Sequence, residues 1–367
     1  MIDRRSLLAC AAASALTSPA LAKAEPLKSL AAAKGVAFGS IIGTTPIGQK
    51  TADFDDLNYR RLVETECQVI VPENELKMAW TWSGPETYNL DGADSLASYA
   101  SRQKLDFRGH NLLWNDSYTP KWLLSFDFGP NPKRQAESML RSYIGAITDH
   151  FGNRIKSWDV INEAIDPETG ALRSTVFTRI LGEDAIRIAF EETRARLPRC
   201  QLVYNDFMCW SRLGANHRDG VLALLRRLKD NNVPVDALGV QSHLGLGFEL
   251  ADRDQEAWDK FLTSVTSLGL ELLVTEFDVN DGGLAGNASE RDAVTAEVAK
   301  AYLDQMLSYK EMKTVICWGL VDKYSWIPAY MPRDDKQAPR PTLFDSDFQP
   351  KPMYYAVADA FRATTNH

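Results

Sequence analysis

The sequence predicts a single-domain α/β fold, a closed (β/α)8 or TIM barrel. Three observations point there. Eight short, apolar, β-rich runs alternate with longer helix-like stretches, which implies a parallel sheet, and eight such units close a barrel. No Gly/Ser-rich or Pro-rich linker divides residues 23–367, which read as one unit. No glycine-rich phosphate loop follows the first run, so an open doubly wound sheet lacks its usual support.

The elements follow in order. VAFGSII (36–42) is the first strand and CQVIVPE (67–73) the second. FRGHNLLW (107–114) is the third, and a helical pattern follows over 132–151. KSWDVINE (156–163) is the fourth, with a helix over 174–196. QLVYND (201–206) is the fifth, with a helix over 214–231. ALGVQSH (237–243) is the sixth, with a helix over 252–268. ELLVTEFDV (271–279) is the seventh, with a helix over 290–309, and TVICWGL (314–320) is the eighth. Glu73, His110, Asn162, Glu163, Asn205, Asp206, Gln241, His243, Glu276 and Asp278 each fall at or near the C-terminal end of a strand. In a barrel those ends converge on one mouth, where active sites sit. One such residue could be a buried structural polar group, but ten at corresponding positions form a pattern.

Composition narrows the function. Of 367 residues, 45% are apolar and 25% charged, which suits a sizeable core. The formal net charge of −8 disfavours nucleic acid, because phosphate repels it. A neutral substrate fits better. Nine Trp and twelve Tyr are available for stacking on sugar rings or for a large core. The first 22 residues read as an export signal, with Arg4 and Arg5, an apolar small-residue run and Ala20-Leu21-Ala22 at the cleavage site. The RRSLL run is similar to a twin-arginine signal, with an ordinary secretory signal as the alternative. The mature protein, residues 23–367, is expected to be a periplasmic or extracellular monomer that does not bind membranes. Cys200 and Cys209 could close a short disulfide there, with buried free thiols as the alternative. Five histidines without His-x-His or His-Glu-x-x-His spacing give no metal site, and no cofactor is expected. His150 and His217 read as surface residues and Trp158 and Trp258 as core, while Trp80 and Trp82, on the active-face side after the second strand, read as packing with stacking on sugar as the alternative.

The chemistry that remains is acetal cleavage. It needs an acid to protonate the leaving oxygen and a carboxylate to meet an oxocarbenium-like carbon. Glu163 ends the fourth strand and Glu276 the seventh, so only the fold can bring them together. Asn162 could bond a sugar hydroxyl beside the reacting carbon. His243 could donate to Glu276 and hold it ionised, with Asp278 orienting the imidazole.

At these residues the chain resembles glycoside hydrolase family 10, the barrel xylanases, from about residue 30 to 365. VPENELK (71–77) is similar to the family's Glu-Asn-x-x-Lys segment, which implies glycone-side sugar contacts for Glu73, Asn74 and Lys77. RGHNLLW (108–114) implies sugar binding by His110 and Trp114. WDVINE (158–163) resembles the acid/base signature and carries over Asn162 and Glu163. YNDF (204–207) carries over Asn205 and makes Phe207 a leaving-group platform. VQSH (240–243) carries over Gln241 and His243, and VTEFD (274–278) the nucleophile Glu276 with Asp278. WGLVDKYSW (318–326) implies that Trp318 and Trp326 cover the glycone side. The resemblance implies retaining hydrolysis of β-1,4-xylosidic bonds in xylan or xylo-oligosaccharides. Two positions depart from the family: Asn115 stands where His is usual, and Met78 where Trp is usual. The Pro- and charge-rich stretch 328–341 is expected either to shape the glycone side or to stand as a solvated loop.

Overall fold

The computed structural model describes residues 25–46, 52–245 and 251–365. The expected export signal, residues 1–22, and His367 lie outside them. Eight strands form the barrel: β1 (Ala37–Ile42), β2 (Val69–Pro72), β3 (Asp106–Leu113), β4 (Ile155–Asn162), β5 (Gln201–Asp206), β6 (Ala237–Val240), β7 (Glu271–Val279) and β8 (Met312–Cys317). Neighbours pair in parallel in chain order, and β8 pairs with both β7 and β1, which closes the sheet. Each strand is followed by a helix: α1 (Leu57–Glu66), α2 (Asp91–Gln103), α3 (Pro132–Phe151), α4 (Asp184–Arg196), α5 (Ala215–Asp230), α6 (Gln255–Thr266), α7 (Ala288–Met306) and α8 (Pro352–Ala363). None of the described helices is long and apolar enough to cross a membrane.

Local chemistry sets several of these boundaries. α3 begins on a proline, whose missing N–H and fixed φ suit a first turn. Asp254 caps α6 by accepting from Ala257 N at 3.1 Å. Asn287 and Glu290 form a capping box at the start of α7. The predicted helix 174–196 divides into Thr178–Leu181 and α4, because Gly182 sits between them at φ 64°.

The apolar residues form two layers, as a filled barrel requires. Side chains such as Phe38, Trp158, Leu238, Trp258 and Leu272 pack between strands and helices. Ile41, Val71 and Ile316 fill one part of the interior, and Val203, Ala237 and Leu273 another. Gly109 permits β3 to lie against Trp158, since a Cβ there would meet the indole at 2.2 Å.

Cys67, Cys200, Cys209 and Cys317 are all free thiols, so the disulfide considered for Cys200 and Cys209 does not form. The reason is geometric. Cys200 precedes β5 and Cys209 follows it, and six extended residues hold the two ends about 20 Å apart.

Candidate active site

The C-terminal ends of the strands surround a cavity of about 380 Å³. Glu163 and Glu276 both line it. Glu163 follows directly after β4, at φ 53°, in the left-handed region that non-glycine residues seldom occupy. Its N–H still donates to Asn205 O at 2.8 Å, so the ladder to β5 holds the strained residue in place. Ser242, at φ 64°, plays the same part after β6: it breaks the predicted strand 237–243 and sends Gln241 and His243 to the mouth on either side.

The two carboxylates sit in opposite environments. Glu276 Oε1 accepts from Asn205 Nδ2 at 2.8 Å, and Oε2 faces His243 Nε2 at 3.3 Å. His243 Nδ1 is 2.9 Å from Asp278 Oδ1, which fixes the ring. Burial works against the His243 imidazolium, yet Asp278 and Glu276 push its pKa up to about 10. Burial alone would raise Glu276, but His110, His243 and the Asn205 amide bring it down to about 2. Glu163 goes the other way. Burial first, and the Asp206 charge second, raise its pKa against the donated bond from Gln241. That bond, Gln241 Nε2 to Glu163 Oε1, is 2.9 Å long. A polar chain joins the pair: Gln241 also reaches Asn162 Oδ1 at 3.4 Å, and Asn162 Oδ1 accepts from Asn205 Nδ2 at 2.8 Å. Gly239 makes room for this chain, since a Cβ there would meet Asn205 Oδ1 at 2.4 Å.

Most of the expected residues reach the cavity. Glu73, Asn74, Lys77 and Trp114 line one side, Trp318 and Trp326 another, and Phe207, Gln241 and His243 complete the wall. Lys77 Nζ lies over aromatic faces, 5.1 Å from the Trp114 ring, 5.2 Å from Tyr118 and 5.9 Å from Trp318, with the charges of Glu73 and Glu276 also acting on it. It also donates to Asn74 Oδ1 at 3.0 Å. Burial raises the pKa of Glu73 and lowers that of Lys77, pushing both toward their neutral forms. Trp326 Nε1 donates to Asp278 Oδ2 at 2.8 Å, tying that wall to the His243 network.

Four expected residues lie beneath the floor instead. His110 Nδ1 is 2.8 Å from Asp159 Oδ2 and 4.0 Å from Glu276 Oε1. Asn162, Asn205 and Asp278 spend their side chains on the network just described. Their surroundings suit tuning the carboxylates more than touching a ligand.

Other residues extend or correct the sequence reading. Trp80, read as packing with sugar stacking as the alternative, is 40% exposed and lines the cavity. Tyr118 stacks on Trp114 with ring centroids 3.6 Å apart. Asn115 Nδ2 lies 3.4 Å from Glu163 Oε2, where a titratable imidazole was expected from the family pattern. His217 is buried, not on the surface: it sits 3.0 Å from Asp206 and under Phe207, at 4.7 Å between centroids. Its helix faces the strand end, a fact no local pattern announces. His150 is exposed, as expected, and lies 2.8 Å from Asp94. The stretch 328–341 contributes Tyr330 to the cavity wall and buries Arg333 below it. Among the described residues no three His, Cys, Asp or Glu side chains are grouped to hold a metal ion.

The profile of glycosyl hydrolase family 10 matches residues 26–360. The chain belongs to glycosyl hydrolase family 10. Within the family, endo-1,4-beta-xylanase B of Thermotoga neapolitana is 27% identical over 89% of this chain and 87% of its own length. Endo-1,4-beta-xylanase A of the same organism is 30% identical over 78% of this chain, which spans only 27% of that longer protein. The crystal structure of xylanase 10B from Thermotoga petrophila RKU-1 in complex with xylobiose superposes with a TM-score of 0.82 at 25% identity, covering 93% of this chain and 98% of that one. Family 10 membership makes the closed barrel and the hydrolase activity common ground. Asn115 and Met78 are this member's own departures, and both sit beside the cavity's Lys77 and Trp114.

Proposed function

We propose that this chain is an endo-1,4-β-xylanase that works by double displacement, with Glu163 as acid/base and Glu276 as nucleophile. The observation that carries the reading is the opposed ionisation of two glutamates facing one cavity: Glu276 held down to about 2, Glu163 raised. In the first step Glu276 attacks the anomeric carbon while Glu163 gives its proton to the departing oxygen. In the second, Glu163 takes a proton from water, which displaces Glu276 and restores the original configuration. Asn205 and His243 hold the nucleophile from two sides, so little reorganisation is needed at the moment of attack.

The names of the relatives support xylan, and the xylobiose bound by one of them supports xylo-oligosaccharides. In this reading Glu73, Asn74, Lys77 and Trp114 hold the glycone, Trp318 and Trp326 wall it, and Phe207 carries the leaving group. Gln241 sets Glu163, while Asn162, His110 and Asp278 act through the groups they bond. The reading also has the enzyme exported, supported by Arg4-Arg5 and Ala20-Leu21-Ala22.

Chemical rescue tests the assignment. Glu276→Ala is expected to lose several orders of magnitude of turnover on an aryl xylobioside. Added azide should restore turnover and yield the α-glycosyl azide, because the small anion attacks from the vacated side. Rescue that yields a β-azide would instead mark Glu276 as the acid/base.

A further inference from the structure

One buried carboxylate beside the cavity takes no part in the chemistry above. Glu75 stands in the turn after β2, between Glu73 and Lys77, and is 5% exposed. Its Oε1 accepts from Thr44 N at 2.6 Å, from Thr45 N at 2.9 Å and from Thr44 Oγ1 at 3.0 Å. Its Oε2 accepts from Asn74 N at 3.1 Å. Both oxygens are therefore spent on protein donors, and the side chain does not itself line the cavity.

Three of these donors belong to the loop after β1, whose Thr45 and Pro46 line the same cavity as Glu73, Asn74 and Lys77. The loop has a second anchor at its start. Gly43 N donates to the buried Asp53 Oδ1 at 2.7 Å, and Gly43 O accepts from Phe54 N at 3.2 Å. Packing closes over the arrangement. A Cβ on Gly92, in the first turn of α2, would meet Glu75 Cγ and Thr44 Oγ1 at 2.9 Å each.

Two segments of the mouth thus meet on one anion. Bonds from backbone N–H groups to a carboxylate are short and strong. A loop held by them has already given up its backbone freedom before a ligand arrives, which spares that entropy on binding. Glu75 also acts at a distance, since its charge favours the cationic form of Lys77. Reach and charge are separate properties of the side chain and can be varied separately.

We propose that Glu75 is a positioning residue for glycone binding: it clamps the loop after β1 so that Thr45 and Pro46 form one wall with Glu73, Asn74 and Lys77. The proposal rests on the xylanase reading above, and it works through the reach of Glu75 rather than through its charge.

Two conservative variants test it. Glu75→Gln keeps the reach without the charge, and its carboxamide oxygen can still accept the three loop bonds. Glu75→Asp keeps the charge but is one carbon too short. In Glu75→Asp, amide hydrogen exchange at Thr44 and Thr45 should quicken. The inhibition constant of xylobiose should rise by roughly three- to tenfold, as for a loop in place only a tenth to a third of the time. The kcat on an aryl β-xylobioside should stay close to the parent's. Glu75→Gln should bind xylobiose nearly as the parent does. If Glu75→Gln weakened binding as much as Glu75→Asp, the effect would lie in the charge on Lys77 and the clamp would be refuted. Freed amides with an unchanged inhibition constant, a fall in kcat as large as the loss of binding, or no effect of either variant would refute it too. A parent that neither cleaved the aryl xylobioside nor bound xylobiose would instead sink the xylanase reading, and the role in glycone binding with it.

Discussion

Glu163 and Glu276 carry the same side chain, and their surroundings alone set them apart. Glu276 meets two imidazoles and an amide donor. Glu163 meets burial and the charge of Asp206, with the Gln241 amide and the Trp114 indole against them. In the proposed mechanism turnover needs Glu276 ionised and Glu163 protonated, so the working range lies above the first pKa and below the second. Asp206 raises the second. Replacing it by Asn removes that charge, so Glu163 gives up its proton at lower pH. In Asp206→Asn the descending limb of kcat/KM should therefore move down, by roughly half a unit to one unit. The acidic limb should stay where Glu276 sets it. A uniform drop at every pH, with neither limb moved, would reduce Asp206 to its bonds with Tyr204 Oη at 2.6 Å and Phe207 N at 2.9 Å. The two glutamates were legible in the sequence because strand ends of a barrel have one destination. Tyr118 was not, and the places of Trp80 and Asn115 stayed open, because they depend on how two loops meet across the mouth. His217 was misread for a related reason: a helical pattern gives a face, but not what that face meets.

At the scale of elements, regular segments were legible almost to the residue. The predicted 132–151, 201–206 and 271–279 coincide with α3, β5 and β7. Failures fall where a single backbone angle intervenes, as at Gly182 and Ser242. The loops after β7 and β8 show what patterns cannot reach. Arg291 pairs with Asp281 Oδ2, and Arg333 Nη1 lies 3.6 Å from the same oxygen. Arg340 N donates to Asp281 Oδ1 at 3.0 Å, and its guanidinium bonds Asp292 at 2.8 and 2.7 Å. Asp281 is fully buried, as are both of its guanidinium partners or nearly so. This cluster holds the segment that carries Trp326 and Tyr330 into the cleft. Removing Asp281 would leave the buried Arg291 without its carboxylate partner, at a cost of about 3–5 kcal/mol, while Arg333 keeps Asp335 at 2.6 Å. Asp281→Ala is thus expected to lower the melting temperature by on the order of 10 °C. It should also raise KM for xylo-oligosaccharides more than it lowers kcat, since the loop walls the cleft without touching the reacting bond. A KM that held steady in the folded variant would mean the loops keep their position without the clamp.

The whole molecule adds what no element holds. Closure through β7 and β8 draws residues from position 45 to position 330 into one cavity. The net charge is −8, while in the cavity wall burial pushes Glu73, Glu163 and Lys77 toward their neutral forms, which leaves the ionised Glu276 beside a His243 imidazolium. A molecule of this net charge accepts a neutral chain and repels an anionic one. Shape acts in the same direction. Trp318 is 6% exposed, and its neighbour Trp326 is fixed by Asp278, so the glycone wall does not yield easily. Xylose has only hydrogens at C5, whereas glucose carries a hydroxymethyl group there. One extra carbon against a rigid wall costs roughly ten- to two-hundred-fold in kcat/KM. Initial rates on neutral xylan should accordingly exceed those on carboxymethylcellulose by at least about tenfold. The two causes separate with salt. Near 1 M the Debye length shrinks to about 3 Å, so charge repulsion fades while a steric clash does not. If shape is the main cause, most of the difference survives high salt, and uncharged cello-oligosaccharides are disfavoured as well. A difference that vanished in salt would place the discrimination in the field of the molecule rather than in the wall of Trp318 and Trp326.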